Sequence, residues 1–353
     1  MKKYLIIMGV VLVSFAATYV LADLYIKAKR KQDAETASPR PSPNLKQIKD
    51  EEVEISGWIA WWKEPQAYSL INKYPDSFTT ISPVWFLLDN EFELHEVGKL
   101  DKPTLVAQLH NYGLKVIPSL GSEIKSDQLS LFLNDATKTQ VFLDSLISRA
   151  AILGVDGIDI DLEDIKLPDK AVFTSFIGLV AQKTREHKLI LSVTLHAKTG
   201  HNDWSGSLGQ DTKQIATLAD EVRIMAYDYH TKETGPGANT PTNWLENVIA
   251  FSLQNVPKEK LIIGLPTYGY MWAKDGTFTG YQYDDFLVQA AKSPNTVARD
   301  ETSGELIYSS SDYIGWLSDA QAVKYKIGVI KSAGLTKVIL WNLGGMDKEF
   351  FNR

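Results

Sequence analysis

Short apolar runs and helix-like stretches alternate along the chain from about residue 55 to its end. This alternation is typical of repeated strand–helix units around a parallel sheet. The apolar runs predict eight strands, at Ile55–Trp61, Thr79–Phe86, Lys115–Ser119, Gly157–Leu162, Ile190–Leu195, Glu221–Ala226, Leu261–Pro266 and Lys337–Trp341. Apolar residues at three- and four-residue spacing predict helices at Lys102–Tyr112, Thr137–Leu153, Lys170–Glu186 and Trp244–Gln254. Eight such units over about 300 residues predict an α/β fold, a (β/α)8 TIM barrel.

The stretch between the seventh and eighth predicted strands is longer than one helix requires. It holds about 70 residues, roughly twice what a short loop and a helix need. Residues 305–308 and 313–316 have the composition of strands, and Asp284–Ala291 that of a short helix. We therefore predict a small α+β insertion at about residues 268–325. Loops that follow barrel strands build the active-site face, so the insertion is expected to wall the cleft.

The fourth predicted strand carries acids at every second position, Asp159, Asp161 and Glu163. Side chains alternate between the two faces of a strand, so these three share one face, while apolar residues occupy the other. An unpaired buried charge costs several kcal/mol or more. A solvated edge strand is the simpler alternative, but such a face usually mixes Lys and Thr with the acids. The purely acidic face favours a catalytic strand.

Composition narrows the function classes. The chain of 353 residues has a formal net charge of -6 and no long basic block, which argues against a nucleic-acid partner. It has no cysteine, which excludes a disulfide framework, thiolate metal sites and a cysteine nucleophile.

The N-terminus resembles an export or anchor segment. Lys2 and Lys3 precede an uncharged stretch from Tyr4 to Ala22, about 19 residues, which at ~1.5 Å per residue nearly crosses a bilayer of ~30 Å. Residues 20–22 have the small-residue spacing of a cleavage site, whereas the four basic residues of 27–31 oppose the orientation that export requires. The sequence leaves both outcomes open for residues 1–30, a membrane anchor or a signal cleaved near Ala22. In either case an extracytoplasmic domain is expected, tethered by a Pro-rich polar linker at 31–54.

The ends of the other predicted strands are rich in aromatic residues. The sixth strand ends in Met225-Ala226-Tyr227-Asp228, the seventh continues into Tyr268, and Trp85 and Trp341 close the second and eighth. Strand ends converge on the mouth of a barrel, where flat aromatic faces and acids together are typical of a carbohydrate site. We assign three other tryptophans, Trp204, Trp244 and Trp316, to the core.

These motifs resemble glycoside hydrolase family 18. The family's Asp-x-x-Asp-x-Asp-x-Glu signature is matched by Asp156, Asp159, Asp161 and Glu163, and its Met-x-Tyr-Asp element by residues 225–228. The resemblance runs from Ile55 to the C-terminus, and residues 235–237, 268–270 and 341–344 are most similar to the bacterial branch that includes spore-cortex and peptidoglycan-directed enzymes. One departure is Ser122, where the family usually has the second Gly of Ser-x-Gly-Gly.

The resemblance implies a chitinase-like retaining hydrolase that cleaves β-linked N-acetylglucosamine glycans without metal or cofactor. The substrate's own 2-acetamido oxygen would form an oxazolinium ion, with Glu163 as the acid and then the base. Asp161 would hold the acetamido N–H and Tyr227 its oxygen. Asp159 and Asp161 form a like-charge pair, so one of them should keep a proton.

The remaining site residues are implied as substrate contacts. They are Asp228, Trp341, Met225, Tyr268 and Trp85, with Trp341 as the floor under the sugar. Asp156 has the opposite parity to the acid row, so we expect it to support the strand rather than touch substrate.

Other functions fit less well. A calcium loop would need its Gly and would not have Ile and Leu between the acids, and a magnesium-dependent phosphoryl-transfer site would need a Gly-rich phosphate loop. A non-hydrolytic lectin on the same fold is the main alternative, although such relatives typically lose the acid that Glu163 supplies. The chain is expected to act as a monomer. Chitin, peptidoglycan and N-linked glycan all carry the required 2-acetamido sugar, and the sequence does not choose among them.

Overall fold

The computed structural model describes residues 53–201 and 203–352, which all belong to one compact unit. In chain order the strands are β1 Glu54–Ile59, β2 Thr80–Leu88, β3 Leu94–Glu96, β4 Lys115–Val116, β5 Ser119–Ser122, β6 Gly157–Ile160, β7 Ile190–His196, β8 Glu221–Met225, β9 Leu261–Pro266, β10 Tyr268–Ala273, β11 Phe278–Gln282, β12 Asn295–Arg299, β13 Leu306–Ser310, β14 Tyr313–Leu317 and β15 Lys337–Trp341. The helices are Glu64–Lys73, Lys102–Asn111, Ser126–Asn134, Ala136–Leu153, Lys170–Glu186, Thr212–Leu218, Thr242–Asn255, Tyr283–Ala290 and Ala320–Ser332.

The barrel strands form a closed parallel ring. The order is β1, β2, β5, β6, β7, β8, β9 and β15, and β1 pairs with both β2 and β15. The third position is shared by β4 and β5, which are separated at Ile117-Pro118 because proline has no amide donor for the ladder. β3 is an antiparallel addition on β2. The predicted (β/α)8 barrel is confirmed.

The alternation on β6 separates core from site. Ile158 and Ile160 are fully buried with Phe173 and Ile177 of the helix Lys170–Glu186, in the main core. Asp159 has the opposite parity and therefore faces the interior of the barrel.

The helix before β6 sets where the acid strand begins. Its N-cap, Asp135, accepts hydrogen bonds from the amides of Thr137 and Lys138. Gly154 caps its end with φ 67, a left-handed conformation that favours glycine. The chain can thus turn directly from the helix Ala136–Leu153 into β6.

The insertion follows the seventh barrel strand, as predicted, and is an α+β unit. Its five strands form an antiparallel sheet in the order β11, β10, β14, β13, β12, joined by the helix Tyr283–Ala290. It has its own small apolar core, which contains Met271, Phe286, Tyr308, Tyr313 and Leu317.

The predicted anchor or signal at 1–30 and nearly all of the predicted linker fall on residues outside the described ranges. Within the described part of the chain, no helix is both long and apolar enough to span a bilayer. Membrane attachment, cleavage near Ala22, the extracytoplasmic location and the monomeric state stay predictions.

Candidate active site

Asp159 lies at the base of the site and is held from four barrel strands. Its carboxylate accepts hydrogen bonds from Ser119 Oγ at 2.7 Å, Thr194 Oγ1 at 2.9 Å and Trp58 Nε1 at 3.2 Å. Arg223 Nη1 lies 3.1 Å from Asp159 Oδ2. Both members of this ion pair are fully buried, so the interior of the barrel holds a compensated charge rather than an orphaned one.

Arg223 is a site residue that the sequence reasoning missed. Its guanidinium also donates to Ser82 Oγ at 2.7 Å and to Glu221 at 3.2 Å. The signal was present, since Arg223 alternates in phase with Met225 on β8, and Met225 was already assigned to the site. A cation at that position would have identified the partner of the buried acids.

Asp161 follows β6 directly, and its amide donates to Leu120 O at 2.9 Å. Its Oδ1 is buried and has no hydrogen-bond partner among the described residues. Burial raises the pKa of Asp161 well above its ordinary value, the charges of Glu163 and Asp159 raise it further, and Arg223 opposes the rise. These effects favour the protonated form of Asp161.

Glu163 lies at the rim, beyond the end of β6. Its side chain is 52% exposed. Desolvation within the cleft is nevertheless the largest cause that raises the pKa of Glu163 to about 7, followed by the charges of Asp164 and Asp228. A carboxyl group with this pKa can both donate and accept a proton near neutral pH.

His196 is a second neighbour that sequence reasoning missed. Its Nε2 lies 3.5 Å from Glu163 Oε2. Burial and the charge of Lys198 lower the pKa of His196 to about 4, so the imidazole is neutral at pH 7. It faces Glu163 as a dipole rather than as a cation.

Tyr227 and Asp228 follow β8. Burial raises the pKa of Tyr227 well above its ordinary value, and the charges of Asp161, Asp228, Glu163 and Asp159 add to the rise, so its hydroxyl stays protonated among the acids. Asp228 accepts hydrogen bonds from the hydroxyls of Tyr268 and Tyr270, the latter at 2.8 Å. Tyr268, predicted to contact substrate, thus directs its hydroxyl at Asp228.

Aromatic rings line the mouth beside these acids. Trp341 ends β15 and packs edge-on between Trp58, at a ring-centroid distance of 6.2 Å, and Trp62, at 6.5 Å. Trp62 is 56% exposed, whereas Met225 is buried at the end of β8. The rings of Trp341 and Trp62 form an aromatic wall at the ends of β15 and β1.

Two tryptophan assignments are wrong. Trp85, predicted to bind substrate, is 0% exposed in the main core, and its indole N–H donates to Glu64 Oε1 at 2.9 Å. It points outward to the helix layer, because Glu64 belongs to the first helix. Trp204, assigned to the core, is 54% exposed beside His196. Trp244 does pack against the main core, and Trp316 is partly buried.

Asp156 and Ser122, the two remaining motif positions, make their contacts outside the row of Asp159, Asp161 and Glu163. Asp156 accepts hydrogen bonds from the amide of Val116 at 2.7 Å and from His110 Nε2 at 2.9 Å, as expected of a residue that supports the strand. Ser122 accepts from the amide of Ile124 at 3.1 Å. Ser122, where the chain departs from the family's Ser-x-Gly-Gly, therefore stabilises the turn after β5.

Comparison with known proteins identifies the family of this arrangement. Residues 57–347 match the model of Glycosyl hydrolases family 18. The chain is 28% identical over 239 residues to the uncharacterized glycosylase YvbX of Bacillus subtilis (strain 168), which covers 65% of this chain and 69% of that protein. It is 25% identical over 303 residues to the cortical fragment-lytic enzyme of Bacillus anthracis, with coverage of 80% and 70%.

Solved structures share the fold. The spore cortex-lytic enzyme SleL of Bacillus megaterium QM B1551 superposes with a TM-score of 0.74 at 20% identity, over 88% of this chain and 74% of that one. A chitinase from Chromobacterium violaceum ATCC 12472 gives a TM-score of 0.75 at 19% identity, over 85% and 97%.

Proposed function

The chain belongs to glycosyl hydrolases family 18 and is a glycoside hydrolase of N-acetylglucosamine-containing glycans, and we propose that it cleaves them with retention, by substrate-assisted catalysis. The observation that supports this proposal best is the graded acid row. Asp159 is paired and buried, Asp161 is buried with a raised pKa, and Glu163 lies at the rim with a pKa of about 7. In this row Glu163 is the group that can transfer a proton. The row has no second ionised carboxylate beside Glu163 at the rim that could act as a nucleophile.

In the proposed reaction Glu163 protonates the glycosidic oxygen as the bond to the anomeric carbon breaks. The oxygen of the substrate's 2-acetamido group attacks that carbon and forms an oxazolinium ion. Glu163, now ionised, takes a proton from water, whose oxygen opens the ring and restores the acetamido group. A pKa of about 7 suits both steps.

Asp161 and Tyr227 would hold the acetamido group from two sides. The unpartnered Oδ1 of Asp161 is available to accept the acetamido N–H, and the Tyr227 hydroxyl is available to donate to the acetamido oxygen. As positive charge develops, Asp161 can pass its proton to Asp159, which becomes neutral and leaves the negative charge on Asp161, beside the acetamido group. Trp341 would support the sugar ring.

The substrate is peptidoglycan, chitin or an N-linked glycan, and the relatives favour the first two. The similarity to a cortical fragment-lytic enzyme favours peptidoglycan, and that to a class V chitinase of Arabidopsis thaliana, 24% identical over 292 residues, favours chitin. Digestion of both polymers in parallel, with identification of the new reducing-end sugar by mass spectrometry, decides between them.

The mechanism is tested with the full chain, Glu163→Gln and Asp161→Asn on chitotetraose. We expect kcat to fall by about 10²–10⁴ in Glu163→Gln, the usual contribution of a general acid–base group. Asp161→Asn should lower kcat strongly with a modest change in binding, because Asp161 acts on the transition state. Glu186→Gln, at the end of an outer helix, is the matched control. Tight binding without turnover in the wild type would identify a lectin instead, and full activity of Asp161→Asn would exclude the acetamido group as nucleophile.

A further inference from the structure

An exposed tryptophan lies next to the catalytic rim and has no role in the reaction described above. Trp204 is 54% exposed and follows β7. Its ring centroid lies 4.7 Å from that of His196, with an angle of 81° between the planes. His196 in turn lies 3.5 Å from Glu163 Oε2. A chain of contacts therefore leads from the acid to an open indole ring.

Contacts within the loop fix the position of the Trp204 indole. The benzene half of the ring covers Gly206, where a Cβ would overlap it. The turn that follows is closed by the amide of Ser207, which donates to Trp204 O at 3.0 Å, and by Ser207 Oγ, at 2.7 Å from the same oxygen. Glycine at 206 thus permits the ring to lie flat along the loop while the rest of the indole stays exposed.

His196 is equally well placed and has a free nitrogen. Its amide donates to Gln210 Oε1 at 2.9 Å, and Gln210 Nε2 donates to Leu162 O at 3.4 Å, which joins the end of β7 to the segment that carries Glu163. Its Nε2 is buried and has no hydrogen-bond partner among the described residues. A buried, unpartnered nitrogen at the edge of a cleft indicates a polar group supplied by a ligand.

The barrel order shows which part of the substrate lies here. β7 is the immediate neighbour of β6, whereas Trp341 is on β15, four positions away around the ring of eight strands. If the sugar that keeps the oxazolinium ring rests against Trp341, then Glu163 stands between it and the β7 side. The oxygen that Glu163 protonates belongs to the departing sugar.

We propose that Trp204 and His196 form the binding site for the sugar on the leaving-group side of the cleaved bond. The indole ring stacks on the apolar face of that sugar, and His196 Nε2 bonds one of its hydroxyls or its acetamido group. This inference rests on the proposed hydrolysis. It makes Trp204 a specificity-determining residue.

The test compares a substrate that has a leaving sugar with one that has none. The full chain, Trp204→Ala and Trp204→Phe are assayed on chitotetraose and on the oxazoline of chitobiose, which needs only water. In Trp204→Ala we expect kcat/KM for chitotetraose to fall at least tenfold, and the ratio of tetraose to oxazoline hydrolysis to fall by a similar factor. Trp204→Phe, which keeps a flat ring, should recover most of the loss. Leu131→Ala, which removes an exposed apolar side chain on an outer helix, is the control.

Equal losses on both substrates in Trp204→Ala would show that the loop merely supports Glu163, and no loss on either would show that the ring contacts no sugar. Either result overturns the inference and leaves the proposed function intact. A wild-type chain that hydrolyses neither of these compounds nor peptidoglycan overturns the proposed function, and the inference with it.

Discussion

Two fully buried ion pairs can be compared directly, Asp159–Arg223 inside the barrel and Glu305–Lys326 beneath the insertion. Glu305 is balanced locally, since its carboxylate accepts from Lys326 Nζ at 2.6 Å and from the amides of Asn239 at 2.8 Å and Thr240 at 2.9 Å. Among the residues that the structure describes, Lys326 forms a salt bridge with no acid other than Glu305. Its hydrogen bonds are complete, as a structural ion pair requires.

The Asp159–Arg223 pair has less positive than negative charge around it. One guanidinium, that of Arg223, faces Asp159 and also lies near Asp161, and Glu163 is close enough to raise the pKa of Asp161. Burial, and after it the charges of Glu163 and Asp159, raise the pKa of Asp161 and favour its protonated form. The comparison teaches that a buried pair with complete partners holds a loop, whereas one with too little positive charge sets the protonation state of its neighbours.

The Glu305–Lys326 pair is connected to the active site through hydrogen bonds. Asn239, whose amide bonds Glu305, accepts at Oδ1 from the amide of Asp228 at 2.7 Å. Thr240 Oγ1 donates to Ala226 O at 2.8 Å. Glu305 and Lys326 are therefore positioning residues, which hold the Tyr227–Asp228 segment from below.

The largest effect is expected from Arg223→Met. It leaves the Asp159 carboxylate buried without its cation, so we expect the free energy of unfolding to fall by ~3–5 kcal/mol. The kcat per folded molecule should fall at least 100-fold, because the Arg223 charge that holds the Asp159 carboxylate beneath Asp161 is lost. Urea unfolding and active-site-normalised kinetics measure the two losses. A stable variant with full kcat would show that the two pairs do not differ in the way described.

A similar loss of stability with a smaller loss of activity is expected from Lys326→Met. Glu305 would stay buried without its ammonium partner, at a cost of ~3–5 kcal/mol. The kcat per folded molecule should fall less than tenfold, since the amides of Asn239 and Thr240 still bind Glu305. The double variant Glu305→Gln/Lys326→Met should be more stable than the single one, because it buries no uncompensated charge. If kcat fell as far as in Arg223→Met, the distinction between the pairs would be lost.

The smallest effect concerns pH. Glu163 must be protonated to act first, so kcat/KM should decline as the pH rises through about 7, the pKa of Glu163. Asp228→Asn removes one of the charges that raise this pKa, so the midpoint of its profile should move to lower pH, whatever its absolute rate. Lys326→Met should leave the midpoint in place, because that pair lies outside the acid row.

The raised pKa of Glu163 also affects stability. The folded chain holds this proton up to about pH 7, whereas an unperturbed glutamate releases it near 4.5. The contribution is therefore fully present below pH 4.5 and is lost as the pH rises to about 7. Chemical unfolding should show the wild type losing stability relative to Glu163→Gln as the pH rises from 4.5 to about 7, because glutamine does not titrate.

Periodicity alone was sufficient for the barrel, the insertion and the common face of Asp159, Asp161 and Glu163. The alternation of side chains within a strand and the succession of strands and helices along the chain are local properties. The spacing of apolar residues indicates both. Trp204 and Trp85 were misplaced for a different reason. Trp85 lies inside β2 at a register shift between Val84 and Phe86, which interrupts the strand alternation. Trp204 lies in the loop after β7, where local pattern does not say which way a ring turns.

The sequence by itself determined which residue types line the mouth of the barrel, because motif spacing places the acids and the Tyr227–Asp228 pair at strand ends. Only the tertiary structure decided their charge states. Arg223 comes from β8, Ser119 from β5 and Trp58 from β1, and together they stabilise Asp159, while burial raises the pKa of Asp161. Protonation depends on distances between groups far apart in the chain, and those distances exist only once the barrel closes.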